Sequence, residues 1–173
     1  MNENKLVSEK AERFRRFSEH FKKNPDAALL KPKVTASMKD GIVILKAGKF
    51  TWEEDLPPVL GGNDAAPGPV HHLLGSLAGC GAALVKNTIA PMTETQVDLV
   101  GVDVQCELDV KGIYGMTNAT ADIKNVSFVM TVHSHDSSEK IAEVFELWKQ
   151  RAPVFLCFKK PVPVSAKLVI EKK

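Results

Sequence analysis

The stretch from residue 69 to residue 90 constrains the fold most. Leucine and small residues dominate it, and no charged side chain occurs before Lys86. One helical face is lined by Leu73, Leu77, Cys80 and Leu84. A helix of this composition is buried nearly all round. Each of its glycines weakens a helix by up to ~1 kcal/mol relative to alanine, which favours close packing against another element.

A long shaped loop precedes this helix. Residues 56–69 contain four prolines and three glycines, which no regular element tolerates. Loops of this length in compact domains are usually functional or disordered. Pro69 suits the first helical turn, where its missing N–H is no loss.

In the flanking segments apolar and polar residues alternate with a period of two, which predicts antiparallel sheets with one solvent-exposed face. Strands are expected at about 33–38, 42–45 and 49–53, with an Asp40-Gly41 hairpin turn, and then at 100–110 and 126–132. Asp136 and Glu139 resemble a capping box that opens a helix ending near Arg151. A final strand is expected at 162–170, with its apolar residues inward. Strands, a central helix, more strands and a second helix indicate the α+β class.

Composition narrows the function classes. The chain has 173 residues, of which 44% are apolar and 25% charged, and its net charge is +2. This balance is typical of a globular protein and too weakly basic to predict a nucleic-acid partner. We expect neither a signal peptide nor a membrane span. Three widely spaced cysteines argue against a disulfide scaffold and favour a reducing cytoplasm.

Residues 7–23 predict a basic amphipathic helix, with Phe14, Phe17 and Phe21 on one face. Asn24-Pro25 ends it. Such a helix could contact an anionic surface, or it could simply dock on the domain and expose its charged side.

Two segments carry a family resemblance. Residues 61–80, GGNDAAPGPVHHLLGSLAGC, closely resemble the signature of the OsmC/Ohr family of thiol-dependent hydroperoxide reductases. Residues 151–154 and 161–164 resemble its second signature. The likeness spans about Val34 to Ile170. It therefore predicts an OsmC-like domain at 31–173 and an N-terminal helical extension at 1–30.

The resemblance implies an α+β subunit whose antiparallel sheets pack on two central helices, in an intertwined homodimer. It implies that Cys80 attacks an organic hydroperoxide at the dimer interface and that a thiol reductant resets it. We expect neither a cofactor nor a metal ion. The family also uses a second cysteine, a glutamate and an arginine, and three positions here depart from that pattern. Ala152 replaces the cysteine, Val70 replaces the glutamate, and residues 34–70 contain no arginine.

Five other residues remain as candidates at this site. Lys86, Lys49 or Arg151 could supply the cation that a thiolate needs. His71, beside Val70, could supply a hydrogen bond or a positive charge, so Cys80 and His71 are the expected catalytic residues. Cys157 could be a displaced resolving thiol, although the run from Phe155 to Phe158 is more simply a buried apolar segment.

The remaining cysteine and histidines have simpler interpretations. Cys106 alternates with valines and is expected to pack inside the sheet. His71 and His72 point about 100° apart on a helix and cannot readily share a metal ion. His133 and His135 could share one, but two ligands do not complete a structural site.

Three functions remain open from the sequence. The first is a one-cysteine hydroperoxide reductase, in which Cys80 becomes a sulfenic acid that external thiols reduce. The second is a non-catalytic OsmC-fold protein that binds a small hydrophobic ligand at the dimer interface, with Val70 and Ala152 making the site apolar. The third is an assembly partner that acts through the basic N-terminal helix.

Overall fold

The computed structural model describes residues 3–172 and has the mixed α+β architecture that the sequence predicts. Its α-helices are α1 (Glu3–Lys23), α2 (Pro69–Met92), the short α3 (Val110–Ile113), α4 (Ser138–Arg151) and α5 (Pro153–Lys159). Its strands are β1 (Thr35–Lys39), β2 (Ile42–Ala47), β3 (Phe50–Glu54), β4 (Leu99–Leu108) and β5 (Ile123–His133). Short 3₁₀ turns occur at Pro25–Ala28 and Pro58–Leu60.

The strands form two antiparallel sheets within the described residues. In the first, β2 lies between β1 and β3. Asp40 and Gly41 form its predicted hairpin turn, and both have positive φ, as the favoured two-residue turns require. In the second, β4 pairs with β5 so that Val102 lies opposite Met130 and Val104 opposite Phe128.

The long helix α2 packs on the second sheet. A Cβ atom added to Gly81 would lie 2.8 Å from the Phe128 ring, so only glycine allows this close approach. Pro91 lacks the N–H that an α-helix would use, and the preceding Val85–Ile89 turn widens to π-helix, with the Ala90 N–H donating to the Val85 carbonyl. By length and composition alone α2 could cross a membrane, a test that the core helices of globular proteins also pass.

The core lies where α2, α4 and β5 meet. Trp148 of α4 is fully buried and stacks on Phe128, with ring centroids 4.5 Å apart. The ring centroids of Phe145 and Phe155 lie 5.5 and 4.8 Å from that of Trp148. The cluster is completed by Val85, Ile89, Ala90, Val144 and Ala152.

The N-terminal helix α1 docks against the end of α2, as one of the two sequence interpretations requires. Ala11 is buried in the contact. Lys10 Nζ donates to Asn87 Oδ1 at 3.0 Å, and Arg15 lies 3.9 Å from the Glu94 carboxylate.

The structure differs from the sequence analysis at three places: two local expectations are wrong, and one helix was not predicted. The cap of α4 is Ser137, whose hydroxyl accepts the Lys140 N–H, because Asp136 instead accepts the Gln96 N–H and the Lys140 ammonium group. Pro153 begins a further helix, α5, since proline is favoured at a first helical position. Residues 160–172 form no strand and expose their apolar side chains, because no strand edge of the same chain pairs with them.

Candidate functional site

Cys80 lies in the middle of α2, on the side facing the core. It is half-buried, unpaired with another cysteine, and packed against the cluster that contains Trp148 and Ala152. The residues next to it in α2 are small, which lets β5 and α4 approach this part of the helix closely. The thiol of Cys80 is therefore partly accessible to solvent and borders an apolar cluster on its other side.

The two positions at which the family has polar working groups hold apolar side chains here. Ala152 is fully buried and forms the junction between α4 and α5. Val70 is half-buried in the first turn of α2. Neither side chain can donate or accept a hydrogen bond or carry charge.

The cations suggested by the sequence are engaged elsewhere or exposed. Lys86 donates to the carbonyl of Asp98 at the start of β4. Lys49 lies over the Phe50 ring, with its Nζ atom 5.2 Å from the centroid. Arg151 is exposed at the end of α4. The structure does not bring these three groups together at Cys80.

One orphaned polar atom lies in the same cluster. Among the described residues, the indole Nε1 of Trp148 is the buried side-chain nitrogen or oxygen that lacks a hydrogen-bond partner. An unpaired buried donor costs roughly 1–3 kcal/mol. The cluster beside Cys80 is therefore apolar apart from this one unmatched N–H.

The Gly/Pro loop is organised by Asp55, a residue that the sequence analysis missed. Its carboxylate accepts the N–H groups of Leu56, Asn63 and Ala65 at 2.7, 3.0 and 2.9 Å. The Ala65 N–H, with smaller contributions from the other two, holds the pKa of this carboxyl below its usual value against the opposing effect of burial. Gly62 is required here, since a Cβ atom would overlap the Leu56 carbonyl oxygen at 1.9 Å. The sequence feature that could have identified Asp55 is its position directly before a Gly/Pro loop, where aspartate side chains commonly bind backbone N–H groups.

The structure places the two neighbouring histidines differently. His71, the predicted site residue, is exposed in the first turn of α2. His72 is half-buried, with Nε2 3.3 Å from the Glu53 carbonyl and 3.9 Å from the Glu54 carboxylate. The Glu54 side chain is only 12% exposed. The polar contact from α2 to the end of β3 therefore runs through His72, which the sequence analysis did not single out.

The other cysteines and histidines lie away from this region or on the surface. Cys106 is half-buried on the inner face of β4, as predicted. Cys157 is exposed on α5, so the prediction that it lies in a buried apolar run is wrong. His135 Nε2 lies 3.7 Å from the Asp98 carboxylate. Within residues 3–172, no three His, Cys, Asp or Glu side chains lie close enough together to hold a metal ion.

Comparison with known protein families gives a match over most of the chain. The family of OsmC-like proteins matches residues 61–167, which is well over half of the chain and includes the second part of the loop, α2 and the Ala152 junction. No curated protein sequence matches the chain.

Solved structures match the fold over most of the chain. An OsmC-like protein from Mycoplasma pneumoniae has a TM-score of 0.64 at 19% identity, covering 76% of this chain and 89% of its own. An organic hydroperoxide resistance protein OsmC from Legionella pneumophila has a TM-score of 0.54 at 14% identity, covering 76% and 91%. The organic hydroperoxide resistance protein OhrB of Bacillus subtilis has a TM-score of 0.51 at 16% identity, covering 78% and 94%. At these identities the likeness shows the fold.

Proposed function

This chain belongs to the family of OsmC-like proteins, and we propose that it is a one-cysteine reductase of organic hydroperoxides that uses the thiol of Cys80. The observation that carries the proposal is the position of Cys80, half-buried in the α2 segment that matches the family and free of any disulfide. Structural neighbours include proteins described as organic hydroperoxide resistance proteins.

The proposed chemistry has two stages. The thiolate of Cys80 attacks the terminal oxygen of the hydroperoxide, the O–O bond breaks, and an S–O bond forms as the sulfur loses two electrons. The peroxide leaves as an alcohol after taking up a proton. One external thiol then condenses with the sulfenic acid, releasing water, and a second thiol frees Cys80 and leaves as a disulfide.

The surroundings of Cys80 predict a slow enzyme. A thiolate is favoured by a nearby cation, and Lys86, Lys49 and Arg151 are placed elsewhere. Val70 cannot act as an acid or base, and losing such a group typically costs a factor of ~10²–10⁴ in rate. Ala152 cannot form the internal disulfide, so the reductant must reach Cys80 directly. His71 remains the first candidate for a substitute hydrogen-bond donor, because it adjoins Val70 at the start of α2.

Consumption of cumene hydroperoxide in the presence of dithiothreitol tests this function. Wild type should turn over slowly, Cys80→Ser should have no activity above background, and Cys157→Ser should retain the wild-type rate. Cys157→Ser is the matched control because it removes an exposed thiol outside the proposed site. Equal rates for wild type and Cys80→Ser would overturn the proposal.

A gain-of-function variant sharpens the test. Ala152→Cys restores a thiol at the position where the family has its second cysteine. It should form an internal disulfide with Cys80 after one equivalent of hydroperoxide, seen by mass spectrometry as the loss of two hydrogens, and should raise the dithiol-dependent rate. An oxidised Ala152→Cys protein that carries only sulfenic or sulfinic acid at Cys80 would show that the two positions do not approach.

A specific observation favours a second candidate, the binding of a hydrophobic ligand. An open groove of about 300 Å³ lies between β5 and α4, and its lining is mainly apolar: Met130, Val132, Ser138, Ile141, Ala142 and Phe145. Native mass spectrometry of protein purified without detergent distinguishes the two functions. A stoichiometric lipid-like adduct together with absent peroxide turnover would favour the binding protein.

We further propose that the chain forms an intertwined homodimer. Large apolar side chains lie exposed on the first sheet and along residues 160–172, including Met38, Phe50, Val164 and Leu168. Contiguous exposed apolar surface of this kind marks an interaction site. Light scattering should give twice the chain mass, and a stable folded monomer would contradict the assignment.

The domain boundary and compartment complete the proposal. Residues 1–30 are an extension to an OsmC-like domain at 31–173, since the family match begins only at residue 61 and α1 reaches the domain mainly through Ala11 and surface polar contacts. The free cysteines fit a reducing cytoplasm.

A further inference from the structure

The positive charge of the protein is concentrated near its N-terminus. Residues 13–34 contain seven basic and two acidic side chains, a net charge of +5, whereas the whole chain carries +2. The remaining residues therefore carry −3. The basic members are Arg13, Arg15, Arg16, Lys22, Lys23, Lys31 and Lys33.

The same segment exposes five large apolar side chains. Phe17 and Phe21, 50% and 37% exposed, stack on each other with ring centroids 5.8 Å apart. Leu29 and Leu30, which follow the helix, are 66% and 81% exposed, and Val34 is 53% exposed. Apolar and basic groups thus alternate over one continuous stretch, which we call the basic arm (residues 13–34).

The docking of α1 holds the basic arm in place. Contacts with the domain are made by the first half of the helix, through buried Ala11 and the Lys10–Asn87 hydrogen bond. Farther along, Arg15 makes the 3.9 Å contact with Glu94, and the aromatic pair lies beyond it. The arm is therefore presented by a fixed helix rather than by a free chain end.

Charge and apolarity together select one kind of partner. A second copy of the same surface would bring two segments of +5 face to face in a symmetric contact, which like charges oppose. A nucleic acid would use the arginines and could stack on phenylalanine, but it offers nothing to the aliphatic side chains of Leu29, Leu30 and Val34. A bilayer with acidic lipids matches both properties, because phosphates attract the basic groups and the apolar side chains enter the headgroup boundary.

We propose that the basic arm docks the protein reversibly on membrane surfaces rich in anionic phospholipid. The arm lies on the bilayer plane with Phe17, Phe21, Leu29 and Leu30 inserted and the lysines and arginines at the headgroups. Each basic residue near an anionic surface strengthens binding by about fivefold, and this attraction weakens as salt rises. The proposal is independent of the chemistry at Cys80.

Vesicle flotation of the full-length protein tests this docking. The probes are vesicles of phosphatidylcholine alone and vesicles in which roughly one-third of the lipid is phosphatidylglycerol. Wild type should float with the anionic vesicles, remain in solution with the neutral ones, and be released by high salt. Failure to float with anionic vesicles, or equal flotation with both, would overturn the proposal.

Matched variants separate the arm from the rest of the surface. Phe17→Ser with Phe21→Ser should lower the partition coefficient at least about tenfold, since both side chains are lost from the insertion. Met116→Ser, which changes a large apolar side chain that is 55% exposed between β4 and β5, should leave it unchanged. Lys31→Glu with Lys33→Glu should lower it more than the same reversal at the exposed Lys111 and Lys124.

Folding and assembly controls keep the result interpretable. The serine variants alter exposed side chains, so far-UV circular dichroism and the melting temperature should match wild type; the lysine pair, outside the helix, provides the same test if the serine pair does not fold. Light scattering should give the same mass for all variants. Loss of oligomeric mass in Phe17→Ser with Phe21→Ser would show that a second copy covers the arm and would overturn membrane docking.

Discussion

Replacing Trp148 tests the packing that supports Cys80. The side chain is fully buried, stacks on Phe128 and Phe145, packs at a tilt against Phe155, and carries the unpaired indole N–H. Trp148→Ala and Trp148→Phe separate two effects, because alanine removes both the ring stack and the N–H, whereas phenylalanine removes the N–H and keeps most of the stack.

The expected magnitudes follow from burial. A tryptophan buries about 150–250 Å², worth roughly 4–6 kcal/mol at about 25 cal/mol per Å². Relief of the unpaired N–H returns roughly 1–3 kcal/mol. Trp148→Ala should therefore lower the free energy of unfolding by about 3 kcal/mol, the difference between the midpoints of the two ranges, which is at the lower edge of the usual values for such truncations. Trp148→Phe should lie within about 1 kcal/mol of wild type, because the smaller loss of area is offset by the same relief.

Urea unfolding followed by circular dichroism at one fixed chain concentration measures both values. The fixed concentration matters because association would make the apparent stability depend on it. Trp52→Phe, at the half-buried second tryptophan, is the matched control. If Trp148→Phe costs as much as Trp148→Ala, the indole N–H has a partner that stabilises it, and the assignment of an unmatched polar atom in this cluster is refuted.

Three further predictions concern other parts of the structure. Gly81→Ala should destabilise the protein by about 1 kcal/mol, because the clash with Phe128 outweighs the gain in helix propensity. Gly75→Ala, which adds a methyl group in open space on the same helix, should be neutral or stabilising in the same urea assay. A larger loss of stability in Gly75→Ala than in Gly81→Ala would contradict the packing of α2 on β5. Asp55 and Asp136 have folded-state pKa values below the unfolded value, for Asp136 chiefly because its carboxylate accepts the Gln96 N–H. The stabilisation they give is present above the unfolded pKa near 3.9 and is lost as pH falls through the folded-state values. Asp55→Asn should therefore flatten the acid limb of a plot of melting temperature against pH, and an unchanged limb would count against the assigned role of Asp55 in the loop. Cys157 should be alkylated before Cys80 and Cys106 by a water-soluble reagent, because it is the exposed thiol of the three; mass mapping after brief labelling decides, and slow labelling of Cys157 would indicate that another subunit covers α5.

Local patterns predicted much of the fold. The Asp40-Gly41 hairpin, the alternating strands β4 and β5, and the central helix all follow from residue periodicity and turn chemistry within short windows. The family match then confirmed the segment that contains Cys80. These features depend on neighbours in sequence, which a single chain displays directly.

What the sequence could not predict depends on distant residues. Residues 162–170 alternate like a strand, but a strand also needs an edge with which to pair, and the chain supplies none to them. Helix α4 ends at Arg151 as predicted, but the sequence analysis did not predict that the extended Ala152 allows Pro153 to start α5. The apolar run from Phe155 to Phe158 then becomes a short helix with one exposed side, which carries Cys157.

The candidate site shows the same division. Cys80 was proposed from the resemblance of its helix and the preceding loop to the OsmC/Ohr signature. The contact of His72 with Glu54 joins residues on opposite sides of the Gly/Pro loop, and its formation depends on how Asp55 folds that loop. Nothing in the local pattern of α2 distinguishes His72 from His71.

Trapping of the oxidised cysteine tests the central claim most directly. Fully reduced protein is treated with one equivalent of cumene hydroperoxide in the presence of dimedone, which captures sulfenic acids, and the three cysteines are then mapped by mass spectrometry. The account predicts a dimedone adduct on Cys80, formed together with one equivalent of the alcohol, and little or none on Cys106 and Cys157. An adduct confined to Cys157, or hydroperoxide left unconsumed while Cys80 stays reduced, would contradict it.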